Sequence, residues 1–133
     1  MRHSLRSLAI ASALVAASWS AGPALAHHSS LMYDMTKTVT IKGVVKQFQY
    51  TNPHSWLIVE TKNPDGTMTS CGFEAEGPST LMRAGIHKSD LKPGTKLTVT
   101  GHPMKDGRPA ATWIQATKDD GTVLNPRKGF VPK

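Results

Sequence analysis

Residues 68–76 read MTSCGFEAE, and along this stretch Cys71, Phe73 and Ala75 alternate with Gly72, Glu74 and Glu76. A period of two puts the first three on one face of an extended chain and the two glutamates on the other. The stretch is therefore a strand with its apolar face toward a core. Cys71 is expected as a buried thiol, and Glu74 and Glu76 as a pair on a solvated face. The turn signal Asn63-Pro64-Asp65-Gly66 lies just upstream, so the preceding residues should fold back as a hairpin partner.

Upstream, Trp56–Thr61 is the second strand, entered from Asn52-Pro53-His54, and Val39–Tyr50 is the first. In the first strand Val39, Ile41 and Val45 share one phase while Val44 and Phe48 lie in the other. Gly43 between them suggests a bulge where the strand bends. Downstream, Ser79–Ala84 (STLMRA) is the one short helix, with Pro78 before it and Gly85 at its C-cap. Leu91-Lys92-Pro93-Gly94 then turns the chain into a fourth strand, Lys96–Gly101, with Leu97 and Val99 inward. Lys105-Asp106-Gly107-Arg108 leads into a fifth, Ala110–Thr117.

Three strands, a helix and two strands is the element order of a small all-β barrel of the OB type. The barrel domain is expected over residues 39–122. Residues 123–133 contain NPRKGFVPK, basic and proline-bearing, and are expected as a flexible tail.

The first residues carry a different message. Arg2, His3 and Arg6 precede the uncharged run AIASALVAA at 9–17, and Ala24-Leu25-Ala26 follows a Gly22-Pro23 break. A basic start, a short apolar run and an A-x-A site specify a secretory signal peptide over residues 1–26. A membrane anchor needs roughly 20 apolar residues, and Ser18, Ser20 and Pro23 interrupt this run before that length. The expectation is a periplasmic or secreted protein beginning at His27, with no transmembrane segment after cleavage.

Lys and Arg number 16 against 9 Asp and Glu, and two of the arginines leave with the leader. A moderately basic surface suits anionic partners such as polysaccharide, while export removes intracellular nucleic acid from consideration. Cys71 is the sole cysteine, so no intrachain disulfide supports the fold.

Four of the six histidines fall where a site can form. His27 and His28 open the mature chain in the segment 27–38, and an N-terminal histidine offers its amine and ring nitrogen together as a chelate. His54 lies in the loop before the second strand, and His102 follows the fourth. In an OB barrel those loops flank one ligand face, and about ten residues before Val39 span up to roughly 33 Å. A nitrogen-rich set of this kind suits copper, which tops the affinity order of divalent first-row metals; the alternative is a disordered N-terminal pair, with His54 and His102 spending their ring N–H groups on hydrogen bonds that organise their turns. Met32, Met35 and Met104 lie near these positions and carry thioethers that suit Cu(I), but methionine more often fills core gaps, and the three stay outside the expected ligand set. His87, beside Lys88, is expected on the surface.

The segments HHSS (27–30), TNPHSW (51–56), Glu74-x-Glu76-Gly-Pro-Ser, LKPGTKLTV (91–99) and GHPMKDG (101–107) together resemble the domain-of-unknown-function 6152 family (DUF6152) of small exported bacterial proteins. The resemblance spans essentially the whole chain after the leader. It implies export and a compact β-fold, and it carries over the paired N-terminal histidines, the NPH histidine and the HP histidine, here His27, His28, His54 and His102. Cys71 departs from the bulky residue common at that strand position.

For catalysis the sequence offers little. The N-terminal histidine is similar to the copper brace of lytic polysaccharide monooxygenases in that constellation alone, no nucleophile elbow is present, and Cys71 has no activating neighbour in its strand. Binding is favoured over catalysis. Two classes of binding remain: copper binding or handling through the four histidines, and a metal-free OB-type module that takes an anionic oligomer or a protein partner on Phe48, Tyr50 and Trp56.

Overall fold

The computed structural model describes residues 31–129. The leader, His27 and His28 lie outside the described residues. Strands β1 (Val39–Gln49), β2 (His54–Lys62) and β3 (Met68–Glu76) form an antiparallel meander, followed by helix α1 (Pro78–Arg83) and a 3-10 turn at Lys88–Leu91. Strands β4 (Lys96–Gly101), β5 (Ala110–Thr112), β6 (Gln115–Lys118) and β7 (Val123–Leu124) complete one sheet. Its order is β5-β3-β2-β1-β4-β6-β7. The protein is mostly β with little helix, as the alternation in residues 68–76 requires. Among the described residues no helix is long and apolar enough to cross a membrane.

The five-strand expectation needs correction: among the described residues the sheet has seven strands, and no ladder joins its outer strands β5 and β7 into a closed barrel. The physical reason lies at Trp113 and Ile114, where the expected fifth strand breaks in two. β5 runs parallel to β3, whereas β6 runs antiparallel to β4. At the break, the Trp113 N–H bonds the Glu74 carbonyl at 2.7 Å and the Ile114 N–H bonds the Thr100 carbonyl at 2.9 Å. One short segment thus serves both β3 and β4, and its change of partner interrupts the strand. The expected tail also begins as structure, since Val123–Leu124 pairs with β6 and Leu124 and Pro126 are buried.

Register explains which residues form the core. Leu57 faces Phe73 and Val59 faces Cys71 across β2 and β3, so the odd-numbered residues of both strands share the inner face. They pack with Val45, Phe48, Leu97, Val99, Trp113, Leu81 and Ile86. In β1 the register slips between Val45 and Gln47. The bulge therefore lies at Lys46 and not at Gly43, and the extra residue lets Val45 and Phe48, of opposite phase, both point inward. Gly43 serves close approach instead. A Cβ there would sit 2.3 Å from the Glu60 carbonyl oxygen, so only glycine allows β1 to come this near to β2. Gly85 follows α1 with φ 79°, the left-handed geometry of a helix stop.

Candidate functional site

The outer face of the sheet carries Trp56 from β2 and, directly opposite, Glu74 from β3. The alternation predicts solvent here, but the chain before β1 covers this face. Tyr33 pairs with Met104 in an isolated bridge, the Asp34 N–H bonds the Pro103 carbonyl at 2.8 Å, and the Lys105 N–H bonds the Met32 carbonyl at 2.9 Å. These bonds strap residues 32–34 to the loop after β4. Tyr33 is 2% exposed as a result.

Beneath this strap Glu74 receives two hydrogen bonds. The Tyr33 hydroxyl donates to Oε2, and the His54 Nδ1 meets Oε1. The Glu74 side chain is only 12% exposed, so the two donors replace the hydration that a carboxylate loses on burial. Burial, followed by the hydrogen bond to Glu74 and then its charge, holds the Tyr33 hydroxyl far above the usual tyrosine range, with Arg108 acting weakly the other way.

The second described histidine of the expected set is held in the same manner. His102 Nδ1 lies 2.6 Å from the Lys37 carbonyl oxygen. A carbonyl or a carboxylate only accepts, so in both rings Nδ1 carries the proton, and in the neutral form Nε2 is left with its lone pair. His54 opens β2, opposite Glu76, and His102 follows β4, where its backbone N–H bonds Thr112 Oγ1 at 3.1 Å; Thr112 in turn sits opposite Glu74. The two histidine rings are nevertheless engaged by different partners. Among the described residues no three His, Cys, Asp or Glu side chains converge as a metal cluster. His87 is exposed, as expected.

Glu74 forms the common wall of two hollows. The smaller, about 30 Å³, is lined by His54, Glu74, Glu76, Thr112, Trp113 and Arg127. Trp113 is 1% exposed, and its indole Nε1 has no hydrogen-bond partner among the described residues. A buried N–H of this kind calls for an acceptor, and a hollow of this size has room for one small oxygen-bearing group or a water. The larger, about 380 Å³, is lined by Met32, Tyr33, Trp56, Glu74, Met104 and Arg108 among others.

Sequence reasoning missed Tyr33, and it placed Glu74 on a solvated face. The alternation does assign Glu74 to the outer face. What covers that face comes from Tyr33, 41 residues away, and no local pattern signals it. The aromatic set expected for stacking also changes. Phe48 is 6% exposed within the core, and the Tyr50 hydroxyl bonds the carbonyls of Pro78 and Ile86 at 3.1 and 3.0 Å. Trp56 lines the hollow on the outer face, while Phe48 lines a different one with Lys88, Leu91 and Pro93. Cys71 is buried as expected, and burial pushes its thiol up from the ordinary value, the opposite of what a nucleophile needs.

Compared with known proteins, the chain matches a family model described as "Family of unknown function (DUF6152)" over residues 14–114. No curated protein and no solved structure matches it.

Proposed function

We propose that this chain, which belongs to the family of unknown function DUF6152, is an exported protein that binds or handles copper through histidine nitrogen. One observation carries the reading: His54 and His102 each have Nδ1 tied to an oxygen acceptor, Glu74 in one case and the Lys37 carbonyl in the other. This is how proteins present a metal-ligating imidazole, because the outer hydrogen bond fixes the ring and leaves Nε2 to bind. Glu74 orients the His54 ring, and Tyr33 steadies Glu74. His27 and His28, with the terminal amine released by cleavage after Ala26, complete the proposed set as nitrogen donors that suit Cu(II).

The sheet is compatible with an OB-type arrangement, since β1 pairs with both β2 and β4 and the single segment carrying β5 and β6 contacts both β3 and β4. That arrangement would bring the start of β2, where His54 is the first strand residue and not a loop residue as the sequence suggested, and the β4–β5 loop with His102 to one side. The metal-free binding module is the weaker reading, because Phe48 and Tyr50 are committed to packing and to hydrogen bonds inside the protein.

The test is calorimetric titration of secreted, mass-verified protein with Cu(II) and Zn(II). Copper should bind more tightly than zinc. His54→Ala and His102→Ala should each weaken it by more than about tenfold, while His87→Ala leaves it unchanged. One residue added before His27 should also weaken binding, by moving the amine away from the His27 ring. Affinity should fall as pH drops, because imidazole and amine nitrogens must give up a proton to bind the metal. Copper affinity equal to that of a scrambled peptide of the same composition would overturn the reading.

A further inference from the structure

We infer that the larger outer hollow, between Met32, Met104 and Trp56, is a separate site for a soft monovalent cation, Cu(I) in chemical class. Its biological meaning rests on the copper reading above, but it uses none of the four histidines.

Met104 is 7% exposed, yet it does not belong to the core cluster; it is buried on the outer face, against the strap. Met32 lines the same hollow and is 45% exposed. The bridge sets Tyr33 opposite Met104 and the Lys105 N–H bonds the Met32 carbonyl, so the two methionines are one residue out of register across the strap and meet at the hollow they both line. Met104 thus lies in the wall of the hollow and Met32 at its exposed edge. Thioether sulfur is a soft, polarisable donor that selects Cu(I) over hard cations, and the three rotatable bonds of methionine let it adapt to an ion.

The remaining walls suit a positive charge. Trp56 stands over Gly72, where a Cβ would come within 3.1 Å of the indole carbon Cε3. Glycine at this position leaves room for the ring, and an indole face attracts cations. Glu74 adds a carboxylate to the same wall. Arg108 brings a cation to the lining, with its Nε bound by Asp106 Oδ2 at 2.7 Å in an exposed pair, so it opposes a second cation there and the thioethers and the indole must supply the attraction. The hollow is roomier than an ion needs, so a hydrated cation can enter before the methionine arms close on it.

Silver(I) is the probe, because it has the same ligand preference and does not change oxidation state. In protein labelled at the methionine methyl groups, one equivalent of Ag(I) should shift the Met32 and Met104 signals and leave those of exposed Met68 and Met82 in place. Met32→Leu with Met104→Leu should remove saturable binding at that stoichiometry, whereas Met82→Leu should not. Cu(II) titration of the double variant should match the parent, which separates this site from the histidines. Because the labelling needs no variant, a folding defect in the double variant leaves the test intact. Equal shifts at all exposed methionines, or none at Met32 and Met104, would overturn the inference.

Discussion

Tyr33 and Glu74, 41 positions apart, meet on the outer face of β3, where the tyrosine hydroxyl donates to one oxygen of the carboxylate that holds His54 with the other. The charge of Glu74 is thereby matched from two sides. A hydrogen bond to an ionised group contributes about 1.5–3 kcal/mol, so Tyr33→Phe should destabilise the protein by roughly that amount. Glu74→Ala should cost more, because it strands a buried hydroxyl and an imidazole N–H. Urea unfolding of both single variants and the double variant should show that the two effects do not add, since they share one bond. Strict additivity would show that the contact contributes nothing.

Glu74 also bears on the proposed metal chemistry. Glu74→Gln keeps the volume and an acceptor for one donor but removes the charge behind His54. Copper affinity should fall roughly 10–100-fold, the usual effect of losing an outer-shell partner, with the circular dichroism spectrum unchanged. An unchanged affinity would take His54 out of the ligand set.

Alkaline stability should report on Tyr33. Its hydroxyl titrates well above the unfolded value of about 10, so above that pH the unfolded chain has released a proton that the folded chain still holds. Stability is then fully present below about pH 10 and falls as pH rises beyond it. The loss should be shallower in Tyr33→Phe than in the parent, and denaturant midpoints measured from about pH 8 to 11 will show whether the two curves diverge.

Gly101 closes β4 against the strand break. A Cβ there would lie 1.9 Å from the Thr112 carbonyl oxygen and 2.9 Å from the Ala111 Cβ, and both atoms belong to the segment that β3 and β4 share. Gly101→Ala should destabilise the protein by about 1–3 kcal/mol or prevent folding. Gly66→Ala is a useful comparison, because its added methyl meets nothing within 4 Å and only its φ of 87° is strained. Thermal melts should place Gly101→Ala well below Gly66→Ala.

The alternation at 68–76 determined β3, its inward Phe73 and the buried thiol of Cys71, because a period of two needs no long-range information. The turn signals likewise set the order of the first four strands and the short helix at Pro78–Arg83. Family membership was also legible, carried by short segments spread along the chain. The position of the bulge was not, since Gly43 is tight for a different reason and the register slip at Lys46 depends on pairing with β2. Nor was the division of residues 110–118, which follows from two strands competing for one segment. Tertiary structure alone decided the character of Glu74. A strand pattern assigns a side chain to a face, but whether that face meets water depends on what crosses it, and here Tyr33 is brought there by hydrogen bonds from the loop after β4.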